Sequence, residues 1–162
     1  MFEILLTFIL LGFFLLTLTI IWRNKARKYI SSGTVASAYD AWTQDKLLER
    51  LWGEHIHLGF YPSGKKNIDF RKAKVQFVHE LVKWSSLDKL PRGSRILDVG
   101  CGIGGSSRIL AEFYGFNVTG ITISSAQVKR ARELTPHGLN CNFQVMDALD
   151  LKFEDGLSLI HI

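Results

Sequence analysis

The sequence predicts an α/β fold built on a parallel sheet. Three observations carry that expectation. A glycine-rich turn, Gly100 to Gly105, lies where the strand-like run Arg95 to Val99 gives way to a helix-like one. Strand-like and helix-like runs then alternate up to Val145, which implies a parallel sheet with right-handed crossovers. Finally, Pro91, Arg92 and Gly93 break the chain ahead of the first strand, so the sheet begins late and a helical segment precedes it. The predicted architecture is the first three strands of a Rossmann-like domain behind a helical extension and a single apolar N-terminal helix.

That N-terminal helix comes from Ile4 to Trp22, 19 residues without a charged side chain. At about 1.5 Å of rise per residue it would measure roughly 30 Å, the thickness of a hydrocarbon core. A secretory signal would start basic and end at small residues, whereas this segment starts Met1-Phe2-Glu3 and ends Ile21-Trp22-Arg23. Trp22 suits an interfacial anchor, and Arg23, Lys25, Arg27 and Lys28 should stay cytoplasmic. The expectation is an uncleaved single-pass anchor in a plasma or thylakoid membrane, with everything after Arg23 on the cytoplasmic side. A signal peptide and a buried core helix are the competing readings.

The same flank explains the net charge of +5. Four basic residues against Glu3 give the first 28 residues +3, and the remaining 16 basic and 14 acidic residues give +2. No nucleic-acid footprint remains. Two cysteines, Cys101 and Cys141, are too few for a disulfide framework and read as reduced thiols.

Three segments follow from this pattern: an anchor with its basic flank (1–28), a helical extension or cofactor lid (29–92), and the first half of a ligand-binding domain (93–162). In the extension, Ala38 to Trp52 reads as one helix with Ala41, Leu48 and Leu51 near one face. A loop rich in His, Gly and aromatics follows over Gly53 to Gly64. A second helix runs from about Asp69, a plausible N-cap, to Trp84, with a stripe of Phe70, Phe77, Val78 and Leu81. In the domain, a helix from about Ser106 to Tyr114 stops at Gly115. Strand two is Phe116 to Ile121. Ser124 and Gln127 have capping-box spacing at the next helix, which ends near Thr135 and Pro136. Cys141 to Val145 is the third strand. Lys65, Lys66, Arg71, Lys72 and Lys74 suit either anionic headgroups or a solvated helix face. Asn117-Val118-Thr119 matches a glycosylation sequon but lies in a predicted core strand.

The glycine turn fits two ligand patterns. Gly100, Gly102 and Gly105 spell a dinucleotide fingerprint; Gly100, Gly102 and Gly104 behind Asp98 spell another. A dinucleotide site needs an acid about 20 positions on, at the tip of the second strand. Here that tip is Gly120-Ile121-Thr122, with no acid. A carboxylate at Asp98 suits a ligand carrying an ammonium and a sulfonium and would repel phosphates. The residues therefore favour S-adenosylmethionine over a nicotinamide cofactor. Asp147, after the third strand, falls at the carboxyl edge where α/β sheets bind ligands; taken alone it would be an ordinary loop aspartate.

With these residues laid out, the chain resembles the class I S-adenosylmethionine-dependent methyltransferases. Within them it is similar to the cyanobacterial and plastid enzymes of tocopherol and plastoquinone synthesis. The likeness is carried by Tyr39-Asp40, by Trp52-Gly-Glu-His-Ile-His-Leu-Gly-Phe-Tyr61, by Ile96-Leu-Asp-Val-Gly-Cys-Gly-Ile-Gly-Gly-Ser-Ser107, by Gly120-Ile-Thr-Ile-Ser124, by Gln127, and by Asp147-Ala-Leu-Asp150. The resemblance implies that Asp98 and the Gly100, Cys101, Gly102 and Gly104 loop hold the methionine end and ribose. It implies that Thr122 and Ile123, with Gln127 nearby, line the ribose and adenine edge, that Asp147 and Ala148 read the adenine, and that Tyr39 closes over the cofactor. It implies methyl transfer to a ring carbon of a phytylated or solanesylated hydroquinone, a lipid-soluble acceptor that would partition into a bilayer beside the domain. Other lipid acceptors of the superfamily (a tocopherol chromanol, a sterol, a fatty acyl chain) are the alternative.

Such chemistry rests mostly on positioning, helped by a base for the hydroquinone proton. His55 and His57 are the nearby candidates for that base. A metal pair competes, but the sequence offers no further ligands and no metal is expected. A structural or cofactor-lid role also competes, and is favoured because the sequence supplies no geometry for proton transfer. After Gly156 the chain reads Leu157-Ser-Leu-Ile-His-Ile162 where relatives continue into a fourth strand. The expectation is a truncated chain, inactive as it stands, with an unpaired apolar edge on the first strand.

Overall fold

The computed structural model of the chain describes residues 10–19, 31–63, 67–156 and 160–161. They belong to two units, divided between Ile30 and Ser31.

In the first unit, helix α1 covers residues 10–19, all of them exposed. The hydroxyls of Thr17 and Thr19 donate back to the carbonyls of Phe13 and Leu15, at 2.9 and 2.7 Å. Its ten described residues rise about 15 Å. Among the described residues no helix is long and apolar enough to cross a membrane. The expected single-pass membrane location, with its membrane partner and cytoplasmic orientation, is corrected accordingly. The rest of Ile4 to Trp22 and the basic flank from Arg23 to Lys28 lie outside the described residues.

The second unit opens with two helices where one was expected, α2 (Ser32–Gln44) and α3 (Leu47–Trp52). The break falls at Asp45 and Lys46. Asp45 Oδ1 accepts from the Leu47 amide at 2.8 Å, and Lys46 takes a left-handed φ of 56°. A short carboxylate side chain that bonds nearby backbone competes with the helix ladder in this way. Ala41 and Leu51, expected on a buried face, are exposed.

Helix α4 (Phe70–Trp84) is capped by Asp69, whose Oδ1 accepts from the amides of Arg71 and Lys72, both at 3.0 Å. Its buried face is Ala73, Lys74, Val78 and Val82, while Phe77 and Leu81 are half-buried and Phe70 is exposed. Lys74 turns that stripe. Its ammonium donates to the carbonyls of His55 (2.7 Å) and Trp52 (3.1 Å) and lies over the Trp52 and Phe70 rings. Burial, with Arg71 nearby, holds its pKa below the usual lysine value. Arg71 Nη2 donates to the carbonyls of Arg50 (2.9 Å) and Leu51 (3.1 Å). Lys74 and Arg71, read as free for headgroups or solvent, are thus spent on backbone; Lys65 and Lys66 lie outside the described residues.

The sheet is parallel, in the order β3-β2-β1-β4, from β1 (Arg95–Val99), β2 (Asn117–Thr122), β3 (Cys141–Val145) and β4 (Ile160–His161). Helix α5 (Gly105–Tyr114) links β1 to β2 and helix α6 (Ser125–Leu134) links β2 to β3. The expected vacancy on the outer edge of β1 is corrected: Ile96 and Leu97 pair with Ile160 and His161. A two-residue strand is enough to take that edge because Ile96 and Leu97 are fully buried and their backbone needs partners. The core joins Val78, Val82 and Leu87 to Ile96, Ile109, Leu110, Phe116 and Val118. Each such side chain contributes about 1.5–3 kcal/mol when fully buried. This packing fixes β1 mid-sheet and leaves the carboxyl ends of β1, β2 and β3 along one rim, where open α/β sheets take ligands.

Replacing Lys74 with Met keeps the stem but leaves the Trp52 and His55 carbonyls without their donor. The Lys74→Met protein should lose about 1–3 kcal/mol of unfolding free energy, read from the midpoint of chemical denaturation.

Candidate functional site

The rim is shaped by the turn between β1 and α5. Gly100, Gly102 and Gly104 all have positive φ, from 56° to 80°. Above Gly100 and Gly102 a Cβ would meet nothing within 4 Å, so the backbone faces open space. Gly104 is different: a Cβ there would come within 2.6 Å of the Phe143 ring, so it must be small to let α5 pack on β3. The amides of Gly100 and Cys101 donate to the Ile121 carbonyl at 2.8 and 3.0 Å, which ties the turn to β2.

A cavity of about 420 Å³ opens over this turn. Asp98, Gly100, Cys101 and Gly102 line it from the β1 side, and Thr122, Ile123 and Gln127 from the β2 side. Ala148 closes the β3 side, Tyr39 reaches in from α2, and His55 and His57 come from the loop after α3. Two expected members do not line it. Gly104 sits beneath, against Phe143. Asp147 turns its Oδ1 back to the Leu149 amide at 2.9 Å, and Met146 lines the wall instead.

Asp98 is the charge at the floor of this cavity, 6% exposed. Ser107 donates to its Oδ2 at 2.5 Å. Burial raises its pKa above the usual 3.8, offset in part by the Ser107 hydrogen bond and the nearby His57. Cys101 beside it is pushed up to about 12 by burial and by Asp98, so it is an inert thiol.

On β2 the hydroxyl of Thr122 donates to Gln127 Oε1 at 2.7 Å and accepts from the Ser124 amide at 3.3 Å. Ser124 caps α6 by accepting from the Gln127 amide at 3.1 Å. The Gln127 side chain does not complete the expected capping box, because Thr122 holds its oxygen. Its amide nitrogen has no partner among the described residues, and none of them leaves a buried side-chain nitrogen or oxygen unpaired. That nitrogen is therefore accessible, as a donor where an acid was missing from the sequence.

The two histidines form a chain. His57 Nδ1 lies 2.8 Å from the Leu58 carbonyl, and His57 Nε2 lies 3.1 Å from His55 Nδ1. A carbonyl only accepts, so His57 carries a proton on Nδ1, and in the arrangement with its Nε2 bare it accepts from His55 Nδ1–H. Burial first, then His57, lowers the His55 pKa to about 4, so it is neutral at physiological pH. Among the described residues no cluster of His, Cys, Asp or Glu could hold a metal ion.

Sequence reading missed the side chains that fasten this wall. Asp40 Oδ1 accepts from Ser124 Oγ (2.5 Å) and the Ala126 amide (3.0 Å) at the start of α6, and these bonds lower its pKa. Glu49 holds Arg130 through both oxygens at 2.6 and 2.9 Å. Arg108 donates to the Ile103 carbonyl (2.8 Å) and to Glu54 (2.5 Å), joining the glycine turn to the histidine loop. The only hint in the sequence was position: Asp40 follows Tyr39, and Glu54 precedes His55.

Residues 96–162 match the family model described as a methyltransferase domain. The chain is 60% identical over 131 residues to 2-methyl-6-phytyl-1,4-hydroquinone methyltransferase of Synechocystis sp., covering 81% of this chain and 41% of that protein. It is 38% identical to the chloroplastic tocopherol O-methyltransferase of Arabidopsis thaliana, covering 68% of this chain and 34% of that one. The chain thus spans less than half the length of these curated relatives. The crystal structure of the [4+2]-cyclase SpnF superposes with a TM-score of 0.63 at 28% identity, over 76% of this chain and 45% of that one. A cyclase on this fold shows that the reaction must be argued from the site.

Gly105 meets the histidine loop so closely that a Cβ would come within 2.8 Å of the Glu54 carbonyl and of the His55 ring. Gly105→Ala should displace that loop and weaken cofactor binding severalfold by calorimetry, with the fold retained by circular dichroism.

Proposed function

This chain belongs to the methyltransferase family whose domain its residues 96–162 match, and from that premise we propose that it binds S-adenosylmethionine in the rim cavity and methylates a ring carbon of a prenylated hydroquinone. The observation that carries the reading is a buried carboxylate, Asp98, beneath open backbone at Gly100 and Gly102. An anion buried with a single hydroxyl donor invites a cationic ligand, and it would repel the pyrophosphate of a nicotinamide cofactor. The 60% identity to a hydroquinone methyltransferase supports the acceptor over the chromanol of the more distant tocopherol O-methyltransferases.

The residues divide the work. Asp98 takes the ammonium end of the ligand, and the glycine turn lets backbone approach its ribose. The free amide of Gln127 supplies a donor at the second strand, where an acid is absent. Ala148 and Met146 leave an apolar slot for the adenine, and Tyr39 closes the cavity from α2. Asp147, held in its own turn, stabilises the loop that presents Ala148. The bound cofactor supplies a methyl group on a cationic sulfur, and displacement needs little from the protein beyond alignment and water exclusion. His55, neutral with a bare Nε2, accepts the hydroxyl proton that makes the ring carbon nucleophilic. The helical extension (29–92) acts as the lid, and residues 93–162 provide the cofactor-binding half of the site.

Calorimetric titration with S-adenosylmethionine and with NAD, followed by transfer of labelled methyl to 2-methyl-6-phytyl-1,4-hydroquinone and to γ-tocopherol, tests the reading. Binding of the sulfonium compound alone and methylation of the hydroquinone are expected. Preference for NAD would overturn it, and methylation of the chromanol would move the acceptor.

Asp98→Asn separates function from stability. Cofactor affinity should fall about tenfold to a hundredfold, the worth of one charged hydrogen bond. The folded protein holds Asp98 above 3.8, so folding takes up a proton and stability falls as pH rises from about 3.8 through the raised value. Asparagine escapes that loss, and the cofactor-free variant should melt at a higher temperature than the parent at neutral pH.

A further inference from the structure

The geometry points to a two-histidine proton relay: the acceptor's hydroxyl proton enters at His55 Nε2 and leaves through His55 Nδ1 to His57 Nε2. The inference rests on the methyl-transfer reading above and adds the route by which the proton is carried away.

The hydrogen-bond directions set the route. His57 has both nitrogens engaged, Nδ1 on the Leu58 carbonyl and Nε2 on His55. It therefore cannot meet the acceptor first. His55 has Nδ1 engaged, while its Nε2 has no partner among the described residues. None of the described residues leaves a buried side-chain nitrogen or oxygen unpaired, so Nε2 is accessible. His55 also lines the cavity, packed over Gly105 at the start of α5.

Electrostatics explains why one histidine is not enough. His55 is half-buried and faces Arg108 from α5 and Lys74 from α4, with Glu54 beside it as the one opposing acid. Its pKa near 4 makes it a poor resting place for a proton. His57 instead lies within electrostatic range of the Asp98 carboxyl of β1. The Phe77 ring packs against His57 at 5.3 Å and brings no charge.

The step balances as a relay. The acceptor's O–H bond breaks and its proton bonds to His55 Nε2, while the Nδ1 proton of His55 passes to His57 Nε2. The oxygen's electron pair feeds the ring, the ring carbon takes the methyl, and the sulfonium leaves as a neutral sulfide. The methylated carbon then loses its hydrogen as a proton to water as the ring regains aromaticity. The oxygen takes a proton back from His55 Nε2 while His57 Nε2–H returns to His55 Nδ1, so both histidines recover their resting tautomers and one proton is released per methyl transferred.

The test compares the parent protein with His57→Gln, whose amide still accepts from His55 Nδ1–H but cannot take a proton. Nitrogen NMR on histidine-labelled protein should find His55 protonated on Nδ1 and bare on Nε2; a proton on Nε2 instead would overturn the relay whatever the protein methylates. In turnover of 2-methyl-6-phytyl-1,4-hydroquinone, His57→Gln should cut kcat by at least ~10-fold with KM for S-adenosylmethionine unchanged. The acid limb of its pH profile should then differ from the parent's and report His55 alone, near 4. The solvent-isotope proton inventory should change from curved to straight. An unaltered kcat and pH profile, or a rise in KM with kcat intact, would show that His57 only shapes the loop and would sink the proposal. The expected tautomer in a protein that methylates no hydroquinone would defeat the function reading, and the relay with it.

Discussion

Burying a carboxylate costs free energy, and at the end of β1 Asp98 is buried with one hydroxyl, that of Ser107, to answer it. The rest of the domain is arranged so that this charge stays in place. β1 runs mid-sheet between β2 and β4, so its carboxyl end cannot move without the sheet. The turn that follows leaves backbone open above the charge, and Ser107 comes from the first turn of α5. The cationic ligand proposed above would offset that cost.

The histidine loop is held over that rim from three helices. Lys74 and Arg71 of α4 bind its carbonyls and those just before it. Arg108 of α5 binds Glu54 within it. Asp40 and Glu49, on the helices that lead into it, bind α6. Each of these ties satisfies a charged group with a partner of opposite charge or with backbone, and none is a simple surface pair. The histidine loop is thereby part of the same packed unit as the glycine turn, and both line the cavity.

Much of this was legible in the residues. The strand-to-helix turn at Asp98 to Gly105, the cap at Asp69 and the stop at Gly115 are local patterns, and local physics decides them. What escaped depended on distance. Glu54 meets Arg108 54 positions away and Glu49 meets Arg130 81 positions away, separations no periodicity encodes. The α2–α3 break followed from one aspartate that preferred its own backbone. Lys74 looked like a solvated lysine because its carbonyl partners lie 19 and 22 residues upstream. Asp147 follows β3 as expected, but its Oδ1 is drawn to the Leu149 amide. The apolar N-terminal run suggested a membrane span, whereas among the described residues no helix is long and apolar enough to cross a membrane.

The most direct test of the account is a crystal structure with S-adenosylhomocysteine bound. The account predicts the ligand's ammonium group within hydrogen-bond distance of Asp98, its ribose over Gly100 and Gly102, and its adenine between Met146 and Ala148. A ligand bound elsewhere, or one whose ammonium group lies away from Asp98, would contradict it.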